Sequence, residues 1–187
     1  MRVIAGEFRS RKILSMPGTD VRPTPDRLRE SLFNILNPVI EGSVFVDAYA
    51  GTGAVGIEAL SRGARHVIFI EKDKHAVELI RQNINSLDAQ ARARIIHGAA
   101  AIYLGSLDAD IVFLDPPYPK EKEYRASLDV LETKAPPLTI VQHASRFALE
   151  EKYGPMRRTR LLRQGDNSLS FYKPEETGKE VQAEVDL

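Results

Sequence analysis

Cysteine does not occur among the 187 residues, which excludes disulfide frameworks, thiolate nucleophiles and thiolate zinc sites together. A reducing, cytoplasmic setting fits this. No apolar run approaches the roughly 18 residues that span a bilayer. The opening MRVIAGEFRSRKIL is interrupted by charge too often to supply the apolar stretch of a signal peptide, so the expectation is a soluble protein with no membrane partner. The four histidines, His66, His75, His97 and His143, show no paired ligand spacing, and a metal is not indicated. There is no internal repeat.

Net charge is lacking too, since 26 basic residues balance 26 acidic ones. Spread evenly, this would argue against a nucleic-acid partner. The final stretch, 174–187, however holds five acids and one lysine, leaving 25 basic and 21 acidic residues before it, a balance of +4. This tail is expected to be disordered. Arginines gather near the start (Arg2, Arg9, Arg11, Arg22, Arg27, Arg29) and late in the chain (Arg157, Arg158, Arg160, Arg163). Arg11, Arg22, Arg27 and the late group are the candidates for phosphate contacts, set against the alternative of ordinary solubilising charge.

What is present from residue 44 onward is an alternation of short apolar runs with helical patterns, the mark of βαβ units and a parallel sheet. The runs are Val44–Ala48, His66–Glu71, Ala93–His97, Asp110–Asp115 and Leu138–His143. Helices are expected over Ala54–Arg62, Asp73–Ser86 and Tyr124–Glu132, with Ile57, Leu60, Val77, Ile80, Ile84 and Leu87 facing the core. Thr159–Arg163 and Ser168–Lys173, separated by a turn-prone Gln-Gly-Asp-Asn, read as a closing antiparallel hairpin. Ahead of residue 44 lie an extended segment, a turn at Pro17-Gly18, and a helix from about Pro25 to Leu36 capped by Thr24. The expectation is one α/β domain, residues 1–173. It has a seven-stranded, mainly parallel Rossmann-like sheet ending in a hairpin, with residues 1–36 as an N-terminal extension and helix.

Gly51, Gly53 and Gly56 fall where the first strand passes to its helix, allowing a tight turn and close approach of a ligand. Their spacing also satisfies the dinucleotide pattern, with Glu71 twenty residues beyond Gly51. Asp47 argues for a different ligand: a carboxylate beside the loop repels a pyrophosphate and suits a cation. S-adenosylmethionine carries an amino group and a sulfonium and no phosphate. Glu71, ending the second strand, is placed to accept ribose hydroxyls. Tyr49, Ala50 and Lys72 adjoin these positions and, with Ala99 after the third strand and Asp115 after the fourth, complete the expected cofactor contacts.

Asp115-Pro116-Pro117-Tyr118 follows the fourth strand. The prolines fix the backbone, and the Asp115 carboxylate with the Pro116 carbonyl offers two acceptors for the hydrogens of a planar amine. An exocyclic base nitrogen, a poor nucleophile because its lone pair is delocalised, would so be pyramidalised and aimed. Tyr118 would stack on the base. His143 is read as structural.

Here the sequence resembles a family. Asp/Asn-Pro-Pro-Tyr/Phe marks methyltransferases acting on adenine N6, guanine N2 or a glutamine amide. The blocks MRVIAGEFRSRKI, RPTPDRLRESLFN, AYAGTGAVGIEALSRGA and FLDPPY are similar to those of the RsmD-type 16S ribosomal RNA guanine-N2 methyltransferases, over nearly the whole chain to about residue 173. The resemblance implies S-adenosylmethionine as cofactor, 16S rRNA or a small-subunit particle as partner, and guanine 966 as target. Four positions depart from the family pattern. Ala99 stands where relatives carry Asp or Asn toward the adenine, Gln142 where Glu is usual, and Gln164 and Asn167 where Tyr and Thr are usual. Competing readings are an N6-adenine or glutamine-amide methyltransferase, an NAD-dependent oxidoreductase, which the chain is short for, and a non-catalytic RNA-binding protein.

Overall fold

The computed structural model describes residues 1–15, 26–117 and 121–175. The five apolar runs become β1 (Val44–Ala48), β2 (His66–Glu71), β3 (Ala93–His97), β4 (Ile111–Leu114) and β5 (Leu138–Ala144), all parallel in the order β3-β2-β1-β4-β5. Aspartates 110 and 115 fall just outside β4, at its two ends. The closing hairpin is longer than its alternation suggested. It comprises β7 (Met156–Gln164) and β8 (Asn167–Pro174), with β8 antiparallel to β5. An eighth strand, β6 (Lys152–Tyr153), pairs with β7; two residues carry no periodicity from which it could have been read.

Among the described residues five α-helices cover the sheet: α1 (Asp26–Ile40), α2 (Ala54–Ser61), α3 (Lys74–Ser86), α4 (Ala100–Tyr103) and α5 (Glu121–Glu132). Strand residues alternate between faces, and the core accordingly divides in two. Phe45, Phe69, Phe113 and Ile140 pack with Leu32, Ile57, Leu60, Ile80 and Ile84 from α1, α2 and α3. Val46, Ile70, Val112, Leu114 and Val141 pack with α4 and α5. All six expected helical core positions are buried. α3 starts one residue later than its pattern because Asp73 is its N-cap, accepting from the Ala76 amide at 2.8 Å. Among the described residues no helix is long and apolar enough to cross a membrane.

The first fifteen residues are not one extended segment. They fold back on themselves through a bridge between Arg2 and Lys12 and a bond from Ile13 N to Met1 O. A buried carboxylate secures the turn: Glu58 of α2 accepts the Ile4 and Ala5 amides at 2.8 and 3.0 Å and the Arg62 guanidinium at 2.8 Å. Arg29 of α1, fully buried, lies 3.9 Å from the same carboxylate. Thr24, Pro25 and the Pro17-Gly18 turn lie outside the described residues.

Candidate active site

The strand order reverses between β1 and β4, so the crevice beyond their carboxyl ends is where an open α/β sheet takes a ligand. Asp47, the glycine loop and Asp115 meet there, with Glu71 one strand away. The loop is tightly wound. Tyr49 has a left-handed backbone (φ 68°) and Gly53, the N-cap of α2, has φ 77°. Gly56 is required by packing, since a Cβ there would sit 2.3 Å from the Phe69 ring.

Asp47 occupies the expected strand end, but its side chain is only 2% exposed and turns toward α2, where Oδ2 accepts the Gly56 amide at 2.7 Å. That amide belongs to the first turn of the helix, among the donors that a pyrophosphate uses in dinucleotide folds. Burial pushes the Asp47 carboxyl well above the usual carboxylate range. The Gly56 bond opposes this, and the carboxylates of Asp115 and Glu71 reinforce it. Three acidic groups from three adjacent strand ends therefore share one electrostatic site.

Glu71 organises the loop. Oε2 accepts Gly51 N at 2.8 Å and Oε1 accepts the amides of Lys72 and Asp73, each at 2.8 Å. Ala50 N donates to Ile70 O at 3.0 Å. Tyr49 reaches across to α5, its hydroxyl 2.7 Å from Ser127 Oγ and 3.3 Å from Glu123 Oε2. Burial, tempered by the Ser127 bond, raises that phenol to about 12. The Lys72 ammonium lies 3.4 Å from the same Glu123. These ties to α5 were invisible in the sequence, because no spacing rule links residue 49 to residues 74 and 78 positions further on. Ala99 is the N-cap of α4 and supplies no side-chain cap.

Asp115 is half-buried directly after β4. Pro116 is buried, and its carbonyl accepts the Tyr124 hydroxyl of α5 at 3.4 Å, a long bond that leaves a lone pair for a second donor. Pro117 is exposed. Tyr118 lies outside the described residues. His143 is buried with both ring nitrogens bonded, Nε2 to Ser170 Oγ at 2.9 Å and Nδ1 donating to Ala144 O at 3.0 Å, and desolvation lowers its pKa. Gln142 is buried in β5 beside it.

The basic candidates separate into groups. Arg163 and Gln164 stand at the carboxyl-end rim, since Gln164 pairs with Asn167, which pairs with Ala144. Arg157 pairs with Lys173 near the other end of β7, roughly 20 Å away at about 3.3 Å per residue. There it is tied to Glu175 at 2.9 Å. Arg158 is half-buried and bonded to Glu151 and the Leu149 carbonyl. Arg160 and Arg163 are exposed, with no ion pair among the described residues. Arg11 donates to Ser86 O at 2.5 Å, at the C-terminal end of α3, where a cation is favoured. Arg27 is exposed on α1, and Arg22 lies outside the described residues.

Comparison with known proteins agrees with this architecture. The family described as "Conserved hypothetical protein 95" matches residues 1–173. YlbH of Bacillus subtilis is 33% identical over 185 residues, covering 92% of this chain and 98% of that protein. Ribosomal RNA small subunit methyltransferase D of Haemophilus influenzae is 39% identical over 123 residues, 63% of this chain and 64% of that one. The solved structure of yhhF from Escherichia coli superposes with a TM-score of 0.81 at 32% identity, covering 94% of this chain and 98% of that one.

Proposed function

The chain belongs to the RsmD-type methyltransferase family, described as conserved hypothetical protein 95, and we propose that it methylates the exocyclic N2 of a guanine in small-subunit ribosomal RNA, with S-adenosylmethionine as donor. The observation that carries this reading is the convergence of Asp47, Glu71 and Asp115 at adjacent strand ends, with the Gly56 amide already satisfied by a carboxylate. A dinucleotide would meet repulsion where its pyrophosphate needs donors. A sulfonium and an ammonium would meet attraction.

When bound, S-adenosylmethionine supplies an electrophilic methyl group. The protein's own work is to hold and aim. Asp47, in its ionised form, would contribute negative field from within the loop rather than a direct bond. Glu71 accepts a ribose hydroxyl: a carboxylate has about four acceptor positions, and three are filled by backbone amides. Accepting a second hydroxyl would require one of these three amides to give way. Asp115 and the Pro116 carbonyl take the two hydrogens of the base amine and orient its lone pair. Tyr118 stacks on the base, and Arg160 and Arg163, at or near the rim, hold phosphate.

The test is incubation of the protein with methyl-deuterated S-adenosylmethionine and either naked 16S rRNA or small-subunit particles, followed by mass spectrometry of the nucleosides. Labelled N2-methylguanosine is expected. Labelled N6-methyladenosine would refute the guanine target, and label only in a glutamine peptide would refute the RNA substrate. NAD binding without S-adenosylmethionine binding would overturn methyl transfer itself.

A further inference from the structure

Asn83 contradicts its surroundings. It stands in α3 on the face that carries Ala76, Val77, Ile80 and Ile84, and is 1% exposed. Asparagine is a poor helix former, and a buried amide is costly unless every polar atom is paired. Here the amide is fully engaged. Its Oδ1 accepts Leu14 N at 2.8 Å, while Nδ2 donates to Leu14 O at 3.2 Å and to Thr52 O at 3.1 Å. One side chain thus grips both backbone groups of a residue in the N-terminal segment and a carbonyl between the loop glycines Gly51 and Gly53.

The N-terminal segment is fastened elsewhere as well, to α1 through Arg29, to the end of α3 through Arg11, to Arg92 through Glu7, and above all to α2. Ser61 Oγ donates to Ala5 O at 2.5 Å and accepts Phe8 N at 2.9 Å. Those bonds do not touch the loop. Leu14 itself is 50% exposed, so its backbone rather than its side chain is what the fold uses. We propose that Asn83 is a positioning residue that couples the N-terminal segment to the glycine loop, so that docking of Leu14 sets the loop for S-adenosylmethionine. This rests on the reading of the loop as the cofactor site. Because the coupling is thermodynamic, it acts in both directions: cofactor binding also steadies the N-terminal segment.

The experiment is calorimetric titration of S-adenosylmethionine into the full chain and its variants, with thermal unfolding and single-turnover methylation alongside. Asn83→Asp keeps the acceptor for Leu14 N but loses both donated bonds. Leu14→Pro removes the amide hydrogen at an exposed position, at the added cost of restricting its own φ and the backbone of Ile13, and it serves if the first variant fails to fold. Each should weaken cofactor binding about two- to tenfold, the range for the one hydrogen bond by which each loosens the link between segment and loop, to Thr52 O in the first and from Leu14 N in the second. Turnover at saturating cofactor should stay within about twofold, and the double variant should fall short of the product of the two effects. Ser61→Ala should lower stability with cofactor affinity unchanged. Unaltered affinity in both loop-coupled variants, an equal loss in Ser61→Ala, or multiplicative effects in the double variant would overturn the coupling. Failure of the wild-type chain to bind S-adenosylmethionine would instead overturn the cofactor reading, and the coupling with it.

Discussion

Neutralising Asp47 should make this protein more stable and a worse cofactor binder. In Asp47→Asn an oxygen remains for the Gly56 amide, now at 2.7 Å, and the shape is conserved. What is lost is a carboxylate held almost completely out of water, next to two others. The folded chain holds this carboxyl's proton more tightly than the unfolded chain does. Asp47 therefore favours the fold at low pH, and that advantage is lost as pH rises through its elevated folded value. Removing the charge relieves the cost above that value. It also forfeits the charge-assisted part of one hydrogen bond, roughly 1 kcal/mol. Above that value the variant should melt at a higher temperature than the wild type, and the difference should shrink as pH falls through it. Binding moves the other way. Losing a negative charge beside the loop, where the effective permittivity is about 20 rather than 80, should weaken binding of the cationic S-adenosylmethionine about tenfold or more. A cationic ligand also favours the ionised carboxyl, so wild-type affinity should rise with pH across the Asp47 titration while the variant's stays flat. Differential scanning calorimetry and titration calorimetry across a pH series read both effects. A variant that is less stable than the wild type at every pH and binds the cofactor as tightly would refute the argument.

Asp115→Ala should slow single-turnover methylation at saturating cofactor about 100- to 1000-fold, the usual effect of removing one preorganised hydrogen bond from a transition state, beyond the weaker cofactor binding that loss of its charge brings; near-normal turnover at saturation would exclude amine activation by this side chain. Ala99→Asp should cap α4, raising stability by about 1 kcal/mol in denaturant unfolding, and should tighten cofactor binding if the adenine lies beside it. Replacing Arg160 and Arg163 together by alanine should weaken RNA binding and reduce the slope of log affinity against log salt by about 1.4–1.8, whereas Arg157→Ala, already neutralised by Glu175, should leave that slope unchanged.

Much of the architecture was legible because strands buried on both faces must be apolar and short, and the helices between them must repeat near 3.6 residues. β1, β2 and β3 match their apolar runs residue for residue. Asp47, Glu71 and Asp115 could be named as candidates because each lies at or next to the carboxyl end of such a run, and the parallel topology brings those ends together. Residue order alone determined that much. Tertiary structure decided what the groups do there. Local pattern says where a side chain is attached but not which distant backbone it meets, so it could not reveal that Asp47 points into α2 or that Glu71 is largely occupied by amides. Nor could it show that Tyr49 is tied to α5, or that only some of the late arginines stand free of acidic partners. Asn83 marks the boundary between the two kinds of knowledge. A polar residue in an apolar stripe is visible in the sequence as an anomaly. Its resolution required partners 69 and 31 positions away, because a buried amide finds its hydrogen bonds wherever the folded chain supplies them.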